Sequence, residues 1–333
     1  MCGPPPPSSF TVVQLIVSLM SGRRECRRYK RQHAGLYPNG GSKNELYGEP
    51  LFYHRYIESM KYGYAQRTLL GDSAFVASAA ELARNLTTKL YTDQILAKFT
   101  DTAQPSEYYG GDATAQRESH GTSHVSVLDA QGNALAATTT INRWFGAAVE
   151  SSRYGILWND EMDDFSTPGT ANGFGFAPSE TNFIEPGKRP MSTMAPMVMY
   201  DKDTKDVRMV IGASGGSKII SALTKAVLRV LLFDESLKEA IDSPMLHNQF
   251  TPDITQIDDN FPPVSTEFDG HEHAMAASLQ ELRALLETRY GQKFRNTTGF
   301  EGIVQGIVVA PKNGFVYASG DWRRKTNQHA EGF

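Results

Sequence analysis

One glycine and one threonine at the start of an alternating stretch could carry nucleophilic chemistry. Residues 119–127 read SHGTSHVSV. A threonine hydroxyl is a weak nucleophile that needs a base within hydrogen-bond reach, and a threonine with a free α-amino group carries its own base. That amine titrates near ~7.7 once it is released from its peptide bond. The sequence therefore predicts cleavage between Gly121 and Thr122, although Gly-Thr could also simply lead into a β-strand.

Glycine suits the position before such a nucleophile. Gly121 has no Cβ, so it leaves its carbonyl open to the threonine oxygen and tolerates unusual backbone angles. The polar stretch 101–120 ahead of it lacks regular patterning over ~20 residues, a length that is usually functional or disordered. We expect this stretch to be the flexible approach to the cut site, and its end to move away from Thr122 after cleavage.

An acidic run further along the chain could bind a cation. Residues 158–165 read WNDEMDDF, with Glu161 and Asp164 three positions apart. A charged run is usually a solvated face, but the apolar Trp158, Met162 and Phe165 interleave with these acids. That pattern predicts that part of the run points inward, where carboxylates need a cation.

Two adjacent glycines, Gly215 and Gly216, lie between a predicted strand and a predicted helix. Their backbone N–H groups could converge on an oxyanion without obstruction by side chains. The alternative is a tight strand-to-helix turn with no further role.

Composition sets limits on the function. The chain has 333 residues with 33 basic and 37 acidic side chains, a net charge of −4 that offers no global attraction to nucleic acid or anionic membrane. The basic stretch 23–31 is interpreted as a solvated loop. The apolar segment 10–20 is shorter than the ~20 residues that span a bilayer, so we predict a buried helix there. Two cysteines give neither a disulfide framework nor a metal site.

The hydrophobic periodicity predicts an α+β fold of two sheets covered by helices. Ser217 is predicted to cap a helix that runs to about Phe233 and buries one face. That face consists of Ile220, Leu223, Val227, Val230 and Leu231. Further helices are predicted over 10–20, 54–67, 75–86, 91–99 and 275–290. Paired strands are predicted at 125–128 with 134–141, at 197–200 with 207–211, and at 303–309 with 314–319.

Five motifs in order and spacing resemble those of the γ-glutamyltransferases. They are TSHVSV (122–127), ATTTIN (137–142), WNDEMDDF (158–165), PGKRPMSTM (186–194) and GASGG (212–216). The resemblance implies the four-layer αββα sandwich of N-terminal-nucleophile hydrolases. It also implies that residues 1–121 correspond to the C-terminal part of the family's large subunit and 122–333 to its small subunit, together one domain.

The resemblance also implies a role for each site residue. Thr122 would be the nucleophile, Thr140 its hydrogen-bond partner, and Gly215 and Gly216 the oxyanion hole. The α-ammonium group of a γ-glutamyl donor would be held by Asn142, Glu161 and Asp164. Its α-carboxylate would be held by Ser192 and Thr193, the latter replacing a serine of the family.

The implied reaction is γ-glutamyl transfer from glutathione to water, or to amino acid or dipeptide acceptors, by two associated cleavage fragments without metal or cofactor. The family's arginine for the donor carboxylate has no recognisable counterpart, so the chain looks as if it begins midway through a longer protein. Extracellular or cell-surface placement is implied by the family, with no signal or anchor segment recognised in the sequence, and the sequons at Asn85 and Asn296 permit glycosylation. Two alternatives remain: an impaired relative acting as a non-enzymatic subunit, and another acylase of the superfamily, for instance one that cleaves glutaryl amides.

Overall fold

The computed structural model describes residues 1–21, 50–112, 121–169, 179–259, 261, 281–299, 302–310, 314–324 and 330–332. The helices are α1 (Phe10–Ser21), α2 (Pro50–Arg67), α3 (Ala77–Leu86), α4 (Lys89–Leu96), α5 (Lys218–Phe233) and α6 (Leu237–Asp242), and residues 281–288 are also helical. The strands are β1 (Thr122–Leu128), β2 (Ala134–Thr140), β3 (Met197–Tyr200), β4 (Val207–Ser214), β5 (Leu246–His247), β6 (Thr255–Ile257), β7 (Phe294–Asn296), β8 (Ile303–Val309) and β9 (Val316–Gly320). The basic stretch 23–31 and the start of the predicted 275–290 helix lie outside the described residues.

Three sheets and the helices around them confirm the predicted α+β class. The largest sheet has the order β3-β4-β8-β9 with antiparallel neighbours, and β1 and β2 form a separate antiparallel hairpin. This hairpin packs against β4, where a Cβ at Gly212 would lie 2.1 Å from Cε1 of His124. Glycine at that position therefore lets the histidine ring lie directly on the neighbouring sheet.

The apolar core lies between α1, α2 and α5 and the four-stranded sheet. Helix α1 is the buried helix that the sequence predicts, with Val12, Leu15 and Ile16 fully enclosed. Within the described ranges, no helix combines the length and the apolar character needed to cross a membrane.

Helix α5 departs from its prediction at both ends. Ser217 does not cap it, because the residue adopts helical angles (φ −57°, ψ −25°) instead of the extended conformation that a capping serine needs. Its buried hydroxyl has no hydrogen-bond partner among the described residues. Ile220, Leu223 and Val227 are fully buried as predicted, whereas Leu231 is 36% exposed because the last turn extends past the packed face.

The hairpin turns its polar side inward. Thr122 and His124 are buried, while the alternate residues Val125 and Val127 are 51% and 45% exposed. Since successive side chains of a strand point to opposite faces, the polar face of β1 must be the one that meets β4. The candidate chemistry therefore lies between the two sheets.

Candidate active site

Strand pairing brings the predicted nucleophile to a second threonine. Thr122, the first residue of β1, is opposite Thr140, the last residue of β2. Thr122 is 5% exposed, and its hydroxyl donates a 3.1 Å hydrogen bond to Oγ1 of Thr140. The Thr140 hydroxyl donates to the carbonyl oxygen of Gly121 at 3.4 Å and accepts the N–H of Asn142 at 2.9 Å. One hydroxyl thus links the candidate nucleophile to the carbonyl of the bond that precedes it.

Close packing explains why residue 121 is a glycine. A Cβ at this position would lie 2.3 Å from the carbonyl oxygen of Arg143, a backbone atom that cannot easily move. The Gly121 carbonyl accepts a hydrogen bond from the N–H of Ile141 at 3.0 Å, and the Gly121 N–H donates to the Asn142 carbonyl. The carbonyl oxygen and the amide nitrogen of Gly121 are therefore both held by hydrogen bonds beside Thr122.

Asn142 connects the hairpin to the acidic run. It is 2% exposed, has a left-handed φ of 70°, and donates from Nδ2 to the carbonyl of Asp160 at 3.1 Å. Glu161–Asp164 form one turn of 3-10 helix, in which residues three apart share a face. Glu161 and Asp164 face inward together. The apolar neighbours do not all follow them, because Met162 and Trp158 are 63% and 50% exposed while Phe165 is buried.

Burial and repulsion from neighbouring acids make the two inward acids hard to ionise. Oε1 of Glu161 is buried and has no hydrogen-bond partner within the described residues. Burial raises the pKa of Glu161, and the Thr140 hydroxyl opposes that shift. Burial and then the charge of Glu161 raise the pKa of Asp164 to about 7, against the opposing charge of Arg67. The pair could accept a cation, and an ammonium group would satisfy both acids.

Arg67 is a site residue that the sequence reasoning missed. It is the last residue of α2, and its Nε donates to Oγ of Ser9 at 3.0 Å. Burial lowers its pKa, and the charge of Asp164 opposes that effect. The position in the predicted helix 54–67 was the only available signal, since no local motif marks it.

Ser192 and Thr193 lie on an irregular segment before β3 that the chain's first residues hold in place. The Ser192 N–H donates to the carbonyl of Pro7 at 2.9 Å, and the Ser9 hydroxyl donates to the Ser192 carbonyl at 2.6 Å. The Ser192 hydroxyl accepts the N–H of Met194 at 3.2 Å and can still donate its own proton. Thr193 is half-buried.

Gly215 and Gly216 form the turn between β4 and α5, as the sequence predicts. Their φ angles are 116° and 58°, values that favour glycine. Their carbonyls accept hydrogen bonds from the N–H groups of Lys218 and Ile219, at 3.2 and 3.1 Å. The strand before them, β4, packs against the hairpin that begins with Thr122.

Comparison with known proteins gives consistent matches along the chain. The gamma-glutamyltranspeptidase family profile matches residues 1–331. Scoloptoxin SSD14 of Scolopendra dehaani is 35% identical over 322 residues, 96% of this chain and 49% of that protein. The glutathione hydrolase proenzyme of Pseudomonas sp. (strain A14) is 33% identical over 333 residues, 97% of this chain and 51% of that protein. The chain thus spans about half the length of these curated relatives.

Solved structures agree with these matches. One is an acivicin-inhibited gamma-glutamyltranspeptidase whose C-terminus has critical roles in autoprocessing and catalysis; it is 32% identical with a TM-score of 0.51, over 61% of this chain and 99% of that chain. Cephalosporin acylase from Bacillus halodurans is 17% identical with a TM-score of 0.68, over 96% of this chain and 49% of that chain, and supports the fold alone. Both neighbours fit the predicted fold of N-terminal-nucleophile hydrolases.

Proposed function

The chain belongs to the gamma-glutamyltranspeptidase family, and from that premise we propose that it transfers the γ-glutamyl group of glutathione and related compounds. The acceptor is water in hydrolysis and an amino acid or dipeptide in transpeptidation. The observation that carries the proposal is the Thr122–Thr140 hydroxyl pair, connected through Asn142 to two inward acids, one of which has an oxygen without a hydrogen-bond partner among the described residues.

Self-cleavage comes first. The Thr122 oxygen attacks the carbonyl carbon of Gly121 while its proton is relayed through the Thr140 hydroxyl, 3.1 Å away, to the Thr122 nitrogen that leaves as the amine. Hydrogen bonds from Ile141 and Thr140 to the Gly121 carbonyl support the negative charge that develops on its oxygen. The C–N bond breaks, the acyl group moves to the threonine oxygen, and water hydrolyses that ester. Residues 1–121 and 122–333 then remain associated, with Thr122 carrying a free amine.

Turnover repeats the same chemistry on a substrate. The free amine of Thr122 takes the hydroxyl proton as the oxygen attacks the donor's γ-carbonyl. The N–H groups of Gly215 and Gly216 stabilise the oxyanion, and the leaving amine, which is cysteinylglycine when glutathione is the donor, takes the proton. The γ-glutamyl ester is then released to water or to an acceptor amine. Every step uses only groups of the protein and its substrates.

Recognition of the donor depends on its amino-acid end. The α-ammonium group supplies a cation to Glu161, whose Oε1 has no partner among the described residues, and to Asp164, with Asn142 beside them. The hydroxyls of Ser192 and Thr193 donate to the α-carboxylate. A glutaryl donor has no ammonium group and would leave the two acids unpaired, which makes a glutaryl acylase the weaker candidate.

Extracellular or cell-surface placement forms part of the same proposal. Asn296 of one sequon lies exposed on β7, and Asn85 of the other is half-buried near the end of α3. A glycosidase that removes N-linked sugars should lower the mass of protein isolated from its natural host. An unchanged mass would contradict glycosylation at both sites.

The test of the function is substitution of Thr122 in protein expressed from its complete coding sequence. The parent protein should yield a fragment that begins at Thr122 and release glutamate from γ-glutamyl anilides. Thr122→Ala should abolish both, while Ser123→Ala, which alters the exposed neighbour, should preserve both. Cleavage or turnover by Thr122→Ala would overturn the mechanism. Correct cleavage of the parent protein without turnover would instead identify a non-enzymatic subunit.

A further inference from the structure

The two halves of the proposed donor pocket come from separate segments. The acids lie on the 3-10 turn Glu161–Asp164, and the hydroxyl donors lie at 192–193. A donor carries its ammonium and carboxylate groups on one carbon atom, so the pocket must hold these two segments at a fixed spacing. That spacing has to be set between two irregular segments, so no single helix or strand among the described residues imposes it.

One buried side chain bonds to both segments. Asn182 is 8% exposed at the end of the 3-10 turn Glu180–Asn182. Its Nδ2 donates to the carbonyl of Asp164 at 2.7 Å, and its Oδ1 accepts the N–H of Met191 at 3.0 Å. Met191 immediately precedes Ser192, so a single amide group spans from the acidic turn to the hydroxyl segment.

The bridge itself is fixed to the end of α2. The hydroxyl of Thr181 donates to the carbonyl of Leu70 at 2.8 Å. Further along, Arg189 makes two side-chain hydrogen bonds to Asp72, at 2.9 and 2.8 Å. Both anchors belong to the segment just after α2, the helix that ends at Arg67.

An amide can make both bonds in a single protonation state, at any pH. It donates from nitrogen and accepts at oxygen at the same time. An ionised aspartate could accept the Met191 N–H but could not donate to the Asp164 carbonyl, and it would add a negative charge beside an already acidic turn. An apolar residue would leave both backbone groups unpaired.

We propose that Asn182 is a positioning residue that sets the spacing between the ammonium-binding and carboxylate-binding halves of the pocket. This inference rests on the proposed function. Asn182 does not touch the donor; it acts through Asp164 and Ser192. Its loss therefore weakens ligands that engage both halves, such as L-glutamate, more than glutarate, which has no ammonium group.

Asn248 provides a matched control. It is 1% exposed, its Nδ2 donates to Oγ1 of Thr255 at 3.0 Å, and its Oδ1 accepts the N–H of Phe250 at 2.9 Å. Like Asn182, it uses its amide as donor and acceptor at once, but its partners are a hydroxyl and a nearby N–H on the segment that joins β5 to β6, outside the proposed pocket. Asn248→Asp should lower thermal stability without changing selectivity.

The experiment measures hydrolysis of a γ-glutamyl anilide by the complete protein, with L-glutamate and glutarate as competitive inhibitors. In Asn182→Asp we expect KM and the inhibition constant of glutamate to rise ~10-fold, the loss of about one buried hydrogen bond. The glutarate constant and kcat should stay within about 3-fold of the parent values. Asn182→Ser, which is too short to reach both partners, should shift selectivity in the same direction if Asn182→Asp folds poorly.

The possible results separate the two proposals. A parent protein without turnover overturns the proposed function and this inference with it. An active parent protein whose Asn182 variants keep both inhibition constants, or change both equally, overturns the inference alone. The same change of selectivity in Asn248→Asp would also overturn it, because any buried asparagine would then have the same effect.

Discussion

Two buried acidic groups of the molecule have opposite surroundings. Glu58 of α2 is fully buried and accepts hydrogen bonds from the Tyr109 hydroxyl at 3.0 and 2.9 Å and from Gln292 at 3.0 Å. Nζ of Lys61 lies 3.6 Å away. In the candidate site, Oε1 of Glu161 is buried without a hydrogen-bond partner among the described residues.

Burial raises the pKa of the acids in both places, so burial alone does not mark a functional carboxylate. At Glu58 the opposing influences are Lys61, Gln292 and Tyr109. At Asp164 the charge of Glu161 adds to the effect of burial, and only Arg67 opposes it among the leading causes. The carboxylate of Glu58 receives its hydrogen bonds from the fold itself, whereas we propose that the acidic pair of the candidate site is completed by a bound cation.

The strongest test of this difference is to neutralise one acid at each of the two places, Asp164 in the candidate site and Glu58 in α2. Asp164→Asn should weaken L-glutamate binding by about 100-fold or more, because the ammonium group loses a buried charged partner. The same change should raise the free energy of unfolding at pH 8 by on the order of 1–3 kcal/mol, since it removes a carboxylate that is costly to ionise. Calorimetric titration and thermal denaturation measure the two effects.

The matched variant Glu58→Gln should behave in the opposite way. It places an amide among hydrogen-bond donors and should lower the free energy of unfolding by ~1–3 kcal/mol. Glutamate affinity per folded molecule should remain within about 2-fold of the parent value. Equal loss of binding in both variants would show that the two acidic groups do not differ in function.

Glutamate affinity should depend on pH near neutrality. Asp164 has a folded-state pKa of about 7, raised by burial and by the neighbouring charges of Glu161, Asp163 and Asp160, with Arg67 opposing. Ammonium binding requires the ionised carboxylate, so the dissociation constant should rise towards tenfold per unit as pH falls below about 7. Asp164→Asn should remove this dependence.

The raised pKa of Asp164 gives folding stability the opposite pH dependence to glutamate binding. Because the folded-state pKa lies above the unfolded value, the stabilising contribution of protonated Asp164 is fully present below ~pH 4 and is lost as pH rises through about 7. Ligand-free protein should therefore lose this contribution over the range in which glutamate begins to bind. A glutamate dissociation constant that stays unchanged between pH 6 and 8 would contradict the raised pKa of Asp164, and unfolding measured over the same pH range checks the stability statement.

The elements that the sequence predicts correctly are those specified by periodicity and turn residues within one short segment. The Thr122 strand, its hairpin partner and the helix after Gly216 each follow from periodicity and turn residues within one short segment, and their bounds agree within a few residues. The inward placement of Glu161 and Asp164 also agrees, although Met162, part of the reasoning for it, points outward. The 3-10 turn explains both results, because it places residues three apart on one side.

Contacts between distant segments could not be predicted in this way. Arg67 and Asn182 reach the site from elements about 97 and 18 positions away from Asp164 and carry no motif of their own. Ser9 contacts Ser192 across 183 positions. Nothing in the spacing of polar residues marks such contacts, since they arise only after the helices have packed.

The smallest expected effect concerns a single hydroxyl of the Glu58 group. Tyr109→Phe removes the donor that contacts both Glu58 oxygens and should lower the free energy of unfolding by about 1–2 kcal/mol. Tyr108→Phe is the natural control, because the Tyr108 hydroxyl bonds to the Lys98 carbonyl at the exposed surface and its loss should cost less than ~0.5 kcal/mol. Equal changes in the two variants, measured by denaturant unfolding, would mean that Glu58 is not held by its protein partners. The contrast with Glu161, whose Oε1 has no partner among the described residues, would then lose its basis.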